Sequence, residues 1–132
     1  MKALDTNVVV RFLVNDDAGQ SAAVKDLFQK AEKEGTSFFI SILVLLEALW
    51  VLTTVYRCAS ENILVSLEQF LLMQVLEFER PDLVRRVIKV GRLGVLDLGD
   101  ALMGLYVKEL GHEVTLTFDK KAAKSEIFEA VK

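Results

Sequence analysis

The chain has 132 residues, of which 52% are hydrophobic and 27% are charged, and its formal net charge is −3. This length predicts one domain over residues 1–132, with a core that needs no disulfide or metal to hold it together. The lone cysteine and the lone histidine exclude an internal disulfide, a Cys/His zinc site and two-histidine ribonuclease chemistry. The chemical groups that remain in quantity are the carboxylates, which act best around a metal ion.

The apolar pattern predicts strands that alternate with helices along the chain. We expect strands at 1–4, 36–40, 75–78 and 113–118, and helices at 8–14, 17–34, 42–56, 60–73, 81–90 and 97–110. Ser41 and Ser60 are predicted N-caps, Gly35 is predicted to end the second helix, and Pro81 suits a first helical turn. This alternation indicates an α/β fold, with a parallel sheet covered by helices on both faces.

Residues 38–56 form an apolar segment that approaches the length of a membrane span. Glu47 lies inside it, and a charge at the middle of a membrane is costly. We therefore divide the segment into a strand, an N-cap at Ser41 and a helix. No secretion signal is recognised at the start of the chain, so a cytoplasmic location without a membrane contact is expected.

Asp5 and Asp119 each sit where a predicted strand ends. In parallel sheets, ligands bind beyond the carboxyl ends of the strands, so these two acids would share one crevice if their strands are neighbours. Taken singly, Asp5, Asp97 and Asp119 could each cap a helix, and Asp100 could complement a helix dipole in the first turn.

Glu47 lies in a predicted helix that is apolar on every side, so we expect its side chain to be largely buried. A buried glutamate needs a partner, which would be a salt bridge to Arg11 or a shared cation. Acids gathered at one strand-end crevice repel each other unless a divalent ion holds them, and oxygen ligands favour Mg²⁺ or Mn²⁺. Such an ion suits phosphodiester hydrolysis.

Four segments resemble, in order, the motifs of PIN-domain proteins, and the resemblance is nearest to VapC-type toxins. These segments are LDTNVVVR at 4–11, the stretch at 40–52, DLGDAL at 97–102 and TFDKK at 117–121. The resemblance implies a three-layer α/β/α domain with a central, mostly parallel sheet. It also implies an endoribonuclease that uses one or two Mg²⁺ ions, or Mn²⁺ in their place.

The same resemblance assigns roles to particular residues. The catalytic and metal-binding acids would be Asp5, Glu47, Asp100 and Asp119. The residues that brace them would be Thr6, Asn7, Ser41 and Thr117, with Asp97 in a capping or outer role. Cleavage is expected to leave 5′-phosphate and 3′-hydroxyl ends, and the implied partners are RNA, a VapB-like antitoxin and a second copy of the chain.

An acidic protein that binds RNA must present local positive charge. The candidate RNA contacts are Arg11, Arg85, Arg86, Lys89, Lys120 and Lys121. Contacts of this kind bind phosphate without choosing a sequence. The basic residues at 80–92 are equally well explained as a solvated helix face.

Two other functions stay open at this point. One is a non-catalytic PIN-fold module that binds RNA or protein, and the affinity for Mg²⁺ would distinguish it. The other is a haloacid-dehalogenase-like phosphatase with Asp5 as nucleophile, although that pattern expects an acid where this chain has Asn7. Trp50 could stack on nucleobases, but its apolar surroundings predict a buried side chain. The helix at 42–56 could alternatively bury one face against a dimer partner or an antitoxin.

Overall fold

The computed structural model of the protein describes residues 1–14 and 17–132. The helices are Thr6–Leu13 (α1), Ala18–Glu34 (α2), Ile42–Thr54 (α3), Ser60–Leu72 (α4), Pro81–Gly91 (α5) and Leu98–Glu109 (α6). The strands are Lys2–Ala3 (β1), Phe38–Ile40 (β2), Leu76–Phe78 (β3), Thr115–Thr117 (β4) and Phe128–Ala130 (β5). Each predicted helix and strand is present, with its ends moved by at most two residues.

Strands β1, β2 and β3 form a parallel sheet in that order. Lys2 pairs with Phe38, which also pairs with Leu76 on its other side. The backbone N–H of Leu4 donates to the carbonyl of Phe39 at 2.9 Å, so the pairing continues one residue beyond β1. Parallel strands need crossover helices, and here each consecutive pair is joined through helices. This arrangement confirms the predicted α/β/α architecture with parallel strands.

Strands β4 and β5 form a second parallel pair, and no hydrogen-bonded ladder joins β1 to β4 within the described residues. The sequence pattern missed β5 and the short 3₁₀ turn at Ala122–Lys124 that precedes it. The apolar residues that alternate along 113–118 are not all covered, since Phe118 is 87% exposed and Leu116 is also exposed. The half-buried face of β4 instead carries Thr115 and Thr117, because a pairing partner distant in sequence sets which face is covered.

One continuous apolar cluster holds the helices and strands together. Phe28 of α2 stacks obliquely with Phe38 of β2, and Phe12 of α1 lies between Phe28 and Phe70, with ring centroids 4.8–5.7 Å apart. Such tilted pairs are favoured by the quadrupoles of the rings. The first two helices and α4 are thereby fixed against the three-stranded sheet.

Local signals at helix ends were predicted with mixed success. Gly35 ends α2 in the left-handed conformation with φ 69°, and Pro81 occupies the first turn of α5, both as expected. Ser41 caps α3 through a hydrogen bond from the N–H of Val44 at 3.1 Å. Ser60 does not act as an N-cap, because α4 already begins at that residue.

The apolar segment at 38–56 is divided at Ser41 into β2 and α3, as predicted. Within residues 1–14 and 17–132, no helix is both long enough and apolar enough to cross a membrane.

Candidate active site

The carboxyl ends of β1, β2 and β3 carry polar residues along one edge of the sheet. Asp5 follows β1 and occupies the N-cap of α1, where its Oδ1 accepts from the N–H of Val8 at 3.0 Å. The predicted capping role of Asp5 is therefore present for one carboxylate oxygen. The side chain as a whole is exposed.

Glu79 belongs to the same edge and was missed by the sequence analysis. It follows β3 directly, and its Oε1 accepts from the N–H of Ile42 at 2.9 Å. Its own N–H donates to the carbonyl of Ile40 at 2.9 Å. Glu79 therefore assists Ser41 in satisfying the first N–H groups of α3, and a charged acceptor suits a helix N-terminus. The sequence could have indicated Glu79, because it directly follows a predicted strand, as Asp5 does.

The expectation that Glu47 is buried is wrong. Its side chain is exposed, as are those of Leu43, which is 78% exposed, and Trp50, which is 60% exposed. The helix is apolar on all sides, but its packed face consists of Leu45, Ala48, Leu49 and Leu52. Because α3 has apolar residues on both its covered and its uncovered face, its composition cannot indicate which face carries Glu47.

The salt bridge to Arg11, one of the two partners considered for Glu47, is not observed. The guanidinium of Arg11 donates to the side-chain oxygen of Gln20 at 2.7 Å and to the hydroxyl of Tyr56 at 2.6 Å. Among the ion pairs of the described residues, none includes Glu47. Because Glu47 is exposed, its charge stays in contact with water and needs no charged partner to compensate for burial.

Glu47 and Asp100 line the same open groove between α3 and α6. The groove has a volume of about 540 Å³, and its walls are Leu43, Leu46, Glu47, Trp50, Gly99, Asp100 and Met103. The two helices are in contact here, as shown by the 3.7 Å that would separate a Cβ atom at Gly99 from Cδ1 of Leu46. Two acids that are 53 positions apart in the sequence thus face one space.

Asp100 lies in the first turn of α6, and its carboxyl has a raised pKa. Partial burial raises the pKa of its carboxyl, and the negative charges of Asp97 and Asp119 raise that pKa further. The positive charge of Lys121 acts in the opposite direction. Two acids from separate segments of the chain therefore lie close enough to Asp100 to disfavour its charged form, and a nearby cation would relieve that repulsion.

Asp97 occupies the N-cap position of α6, but its side chain makes no capping hydrogen bond, so the expected capping role is wrong. Its carboxylate is exposed and lies 3.6 Å from the ammonium group of Lys121. Because Lys121 follows Asp119 by two residues, this contact links the start of α6 to the segment after β4.

Asp119 is held in place by hydrogen bonds to neighbouring residues of the chain. Its Oδ1 accepts from the N–H groups of Lys121 at 2.8 Å and Ala122 at 3.2 Å, and its N–H donates to the hydroxyl of Thr117 at 3.0 Å. These bonds orient the carboxylate through Oδ1 alone. Of the other residues expected to brace the acids, Thr6 is buried, Asn7 is exposed and Ser41 caps α3, and none of them hydrogen-bonds to the four acids in the described chain.

The side chains fit a divalent cation by donor type, although they do not form a closed cage. Within the described ranges, no three acidic, histidine or cysteine side chains are grouped closely enough to hold an ion together. Mg²⁺, however, usually keeps several water ligands and is bound through one or two carboxylates. The charge of Asp119 acts on Asp100, and Glu47 lines the same groove as Asp100. Asp5 precedes α1, which packs against α3, and it is not among the residues that line this groove.

The two groups of candidate RNA contacts lie in different places. On α5, Arg86 pairs with Glu109 at 2.7 Å, and Arg80 binds the same carboxylate. Glu109 ends α6, nine residues after Asp100, which corresponds to about 14 Å along the helix axis. Lys121, in contrast, acts directly on Asp100.

The remaining basic candidates differ in their surroundings. Arg85 and Lys89 line a groove of about 530 Å³ between α4 and α5, together with Arg92. Arg92 pairs there with Glu68 and lies 3.7 Å from Glu61, which offsets part of the local positive charge. Lys120 is exposed immediately after Asp119.

Comparison with known proteins gives a consistent assignment. Residues 2–126 match the PIN domain family. The chain is similar to a VapC ribonuclease from Aquifex aeolicus (strain VF5), with 23% identity over 124 residues that cover 94% of this chain and 91% of that protein. No solved structure matches the chain significantly. Because the family match spans nearly all of the sequence, the resemblance inferred from the four motifs is confirmed, and the chain belongs to the PIN-domain family.

Proposed function

We propose that this protein is a divalent-metal-dependent endoribonuclease and the toxin of a VapBC-type toxin–antitoxin pair. It hydrolyses RNA phosphodiesters to 5′-phosphate and 3′-hydroxyl ends, acts in the cytoplasm as a homodimer, and is neutralised by a VapB-like antitoxin. The observation that carries the proposal is the shared groove of Glu47 and Asp100, with Asp97 and Asp119 close enough to raise the pKa of Asp100. The PIN family membership and the similarity to a VapC ribonuclease support it.

The acids Asp5, Glu47, Asp100 and Asp119 would hold one or two Mg²⁺ ions, for which Mn²⁺ can substitute. When bound, such an ion supplies a water nucleophile at neutral pH and neutralises charge on a phosphoryl oxygen. The contribution of the protein is to place the carboxylates before the substrate arrives. Asp5 and Asp119 are oriented by backbone N–H groups on Oδ1, which leaves Oδ2 of each for ligation.

The supporting residues have distinct proposed roles. Thr117 fixes the backbone of Asp119, while Ser41 and Glu79 fix the start of the helix that carries Glu47. Thr6 and Asn7 follow Asp5 in the first turn of α1 and are proposed to position it. In this role, Thr6 and Asn7 orient the carboxylate of Asp5 and do not contact the substrate.

Lys120 and Lys121 are the basic residues that we place nearest to the scissile phosphate. Lys121 is already within the electrostatic field of Asp100, and its partner Asp97 is exposed, so the ammonium group can exchange that contact for a phosphate. Arg85, Arg86 and Lys89 remain candidates for more distant phosphates of a longer RNA. Arg11 would have to leave its contacts with Gln20 and Tyr56 to take part.

The proposal is tested by incubating antitoxin-free protein with total RNA and Mn²⁺, followed by sequencing of the new 5′ ends. We expect ligatable 5′-phosphates that are absent with the Glu47→Ala variant. Glu32→Ala is the matched control, because Glu32 is also an exposed helical glutamate but lies on α2. Products with 2′,3′-cyclic phosphates would refute the hydrolytic mechanism.

A non-catalytic PIN-fold binding module is the second candidate. The observation that favours it is that the described acids do not form a three-ligand cage. Titration of the purified protein with Mn²⁺ separates the two functions, since a module without metal affinity and without cleavage would replace the nuclease. The family match gives the phosphatase alternative no support.

A further inference from the structure

Trp50 is an unusual surface residue because it is both large and exposed beside the candidate acids. The sequence analysis expected it to be buried, and that expectation is wrong, since 60% of its surface is accessible. Tryptophan is highly buried on average in folded proteins. Its position three residues after Glu47 places the indole on the same side of α3, within the groove that Glu47 and Asp100 share.

The opposite wall of the groove repeats this pairing of an acid with an apolar side chain. On α6, Met103 follows Asp100 by three residues and is 42% exposed. Three helical residues correspond to a rise of about 4.5 Å. Apolar surface and carboxylates are therefore neighbours within one groove, so a ligand that reaches the acids also meets the indole.

We propose that Trp50 is a base-stacking residue, on which the nucleobase next to the scissile phosphodiester of single-stranded RNA stacks. This inference rests on the proposed nuclease function and adds a binding site for the base. Single-stranded RNA presents unstacked bases that proteins bind with aromatic side chains, whereas a duplex keeps its bases inside. The indole takes part in none of the aromatic pairs of the described residues, and 60% of the surface of Trp50 is exposed.

The dimensions of the groove suit a ligand of the size of a nucleotide. Its volume of about 540 Å³ falls within the range of about 300–1,000 Å³ that is usual for small ligands. Every base has a π-face, so the site would select single strands and would discriminate only weakly among bases.

Trp50 can be observed directly, because it is the single tryptophan of the chain. We would titrate the protein with a short single-stranded RNA, using Ca²⁺ in place of Mg²⁺ so that binding is separated from cleavage. The reference probe is an abasic ribose-phosphate chain of the same length. We expect the RNA to quench and shift the tryptophan emission and the abasic chain to leave it unchanged.

The variants give an independent readout of affinity by fluorescence anisotropy of labelled RNA. Trp50→Ala should weaken RNA binding about 5- to 150-fold, equivalent to about 1–3 kcal/mol for one stacked base. Its affinity for the abasic chain should change less than about twofold, and Trp50→Phe should retain most of the RNA affinity. Val65→Ala is the control, since Val65 is 41% exposed on α4 and lines neither this groove nor the one that contains Arg85 and Lys89.

Three results would overturn the inference. They are equal quenching by the abasic chain, an unchanged Kd for Trp50→Ala, and an emission shift that depends on protein concentration or antitoxin but not on RNA. The last result would assign the groove to a protein partner. Cleavage by the wild-type protein, with sequenced 5′-phosphate ends, is scored separately, so loss of the stacking site and loss of the nuclease function remain distinguishable.

Discussion

The two glycines of α6 provide a sharp test of how the candidate site is assembled. A Cβ atom at Gly104 would lie 2.8 Å from Cε2 of the Phe128 ring and 3.2 Å from Cδ1 of Ile127. Phe128 is a buried, rigid ring in β5, so it cannot swing aside as a flexible chain end would. At Gly99, a Cβ atom would meet only Leu46, at an ordinary contact distance of 3.7 Å.

Opposite effects on stability are therefore expected from the same substitution. Replacement of a helical glycine by alanine gains about 0.5–1 kcal/mol from backbone entropy, and overpacking costs about 1–3 kcal/mol. A Cβ atom 2.8 Å from a buried ring places the overpacking cost in the upper part of that range, about 2–3 kcal/mol, so Gly104→Ala should lose about 1–2.5 kcal/mol. For a chain of 132 residues this loss lowers Tm by about 4–9 °C. Gly99→Ala should raise Tm by about 2–4 °C.

The measurement is thermal unfolding of both variants, followed by circular dichroism, with RNA cleavage as a second readout. Gly104 lies one turn after Asp100, and β5 pairs with β4, whose end leads to Asp119. A shift of α6 away from β5 should therefore also lower the cleavage rate by separating the two acids. Equal Tm values for the two variants, or a more stable Gly104→Ala protein, would refute the packing described at the α6–β5 contact.

Three further predictions concern the acids and the lysines. Asp100→Asn should make the metal-free protein more stable at pH 7, because the raised pKa of Asp100 means that its ionised form opposes folding. Urea unfolding measures this gain in the free energy of unfolding, which should disappear as the pH falls below the ordinary carboxyl pKa of 3.8. A large loss of stability at pH 7 would contradict the repulsion among these acids. Glu47→Ala should change the free energy of unfolding by less than about 0.5 kcal/mol, as expected for an exposed site. RNA cleavage by this variant should fall at least about 100-fold. A variant that unfolds would show that Glu47 has a structural role. Replacement of Lys120 and Lys121 by alanine should reduce the slope of log K against log salt for single-stranded RNA by about 1.4, and an unchanged slope would exclude both contacts.

The sequence determined the local elements of this protein because their signals are local. Helical periodicity located all six helices of the described chain, and short-range chemistry identified Gly35, Ser41 and Pro81 at helix ends. The resemblance of four segments, in order, to the motifs of the PIN-domain family was also visible without tertiary contacts, and the family match confirms it. The alternation of strands and helices was likewise sufficient for the α/β/α architecture.

Tertiary structure decided which surface each element presents. Residues on both faces of α3 are apolar, so only its packing against α1 and α6 exposes Glu47 and Trp50 to one groove. The orientation of β4 depends on β5, which pairs with it from ten or more residues away in sequence. The raised pKa of Asp100 likewise results from charges brought together by α6 and the turn after β4. Burial, strand pairing and charge proximity are relations between distant residues, and a one-dimensional pattern does not encode which partners meet.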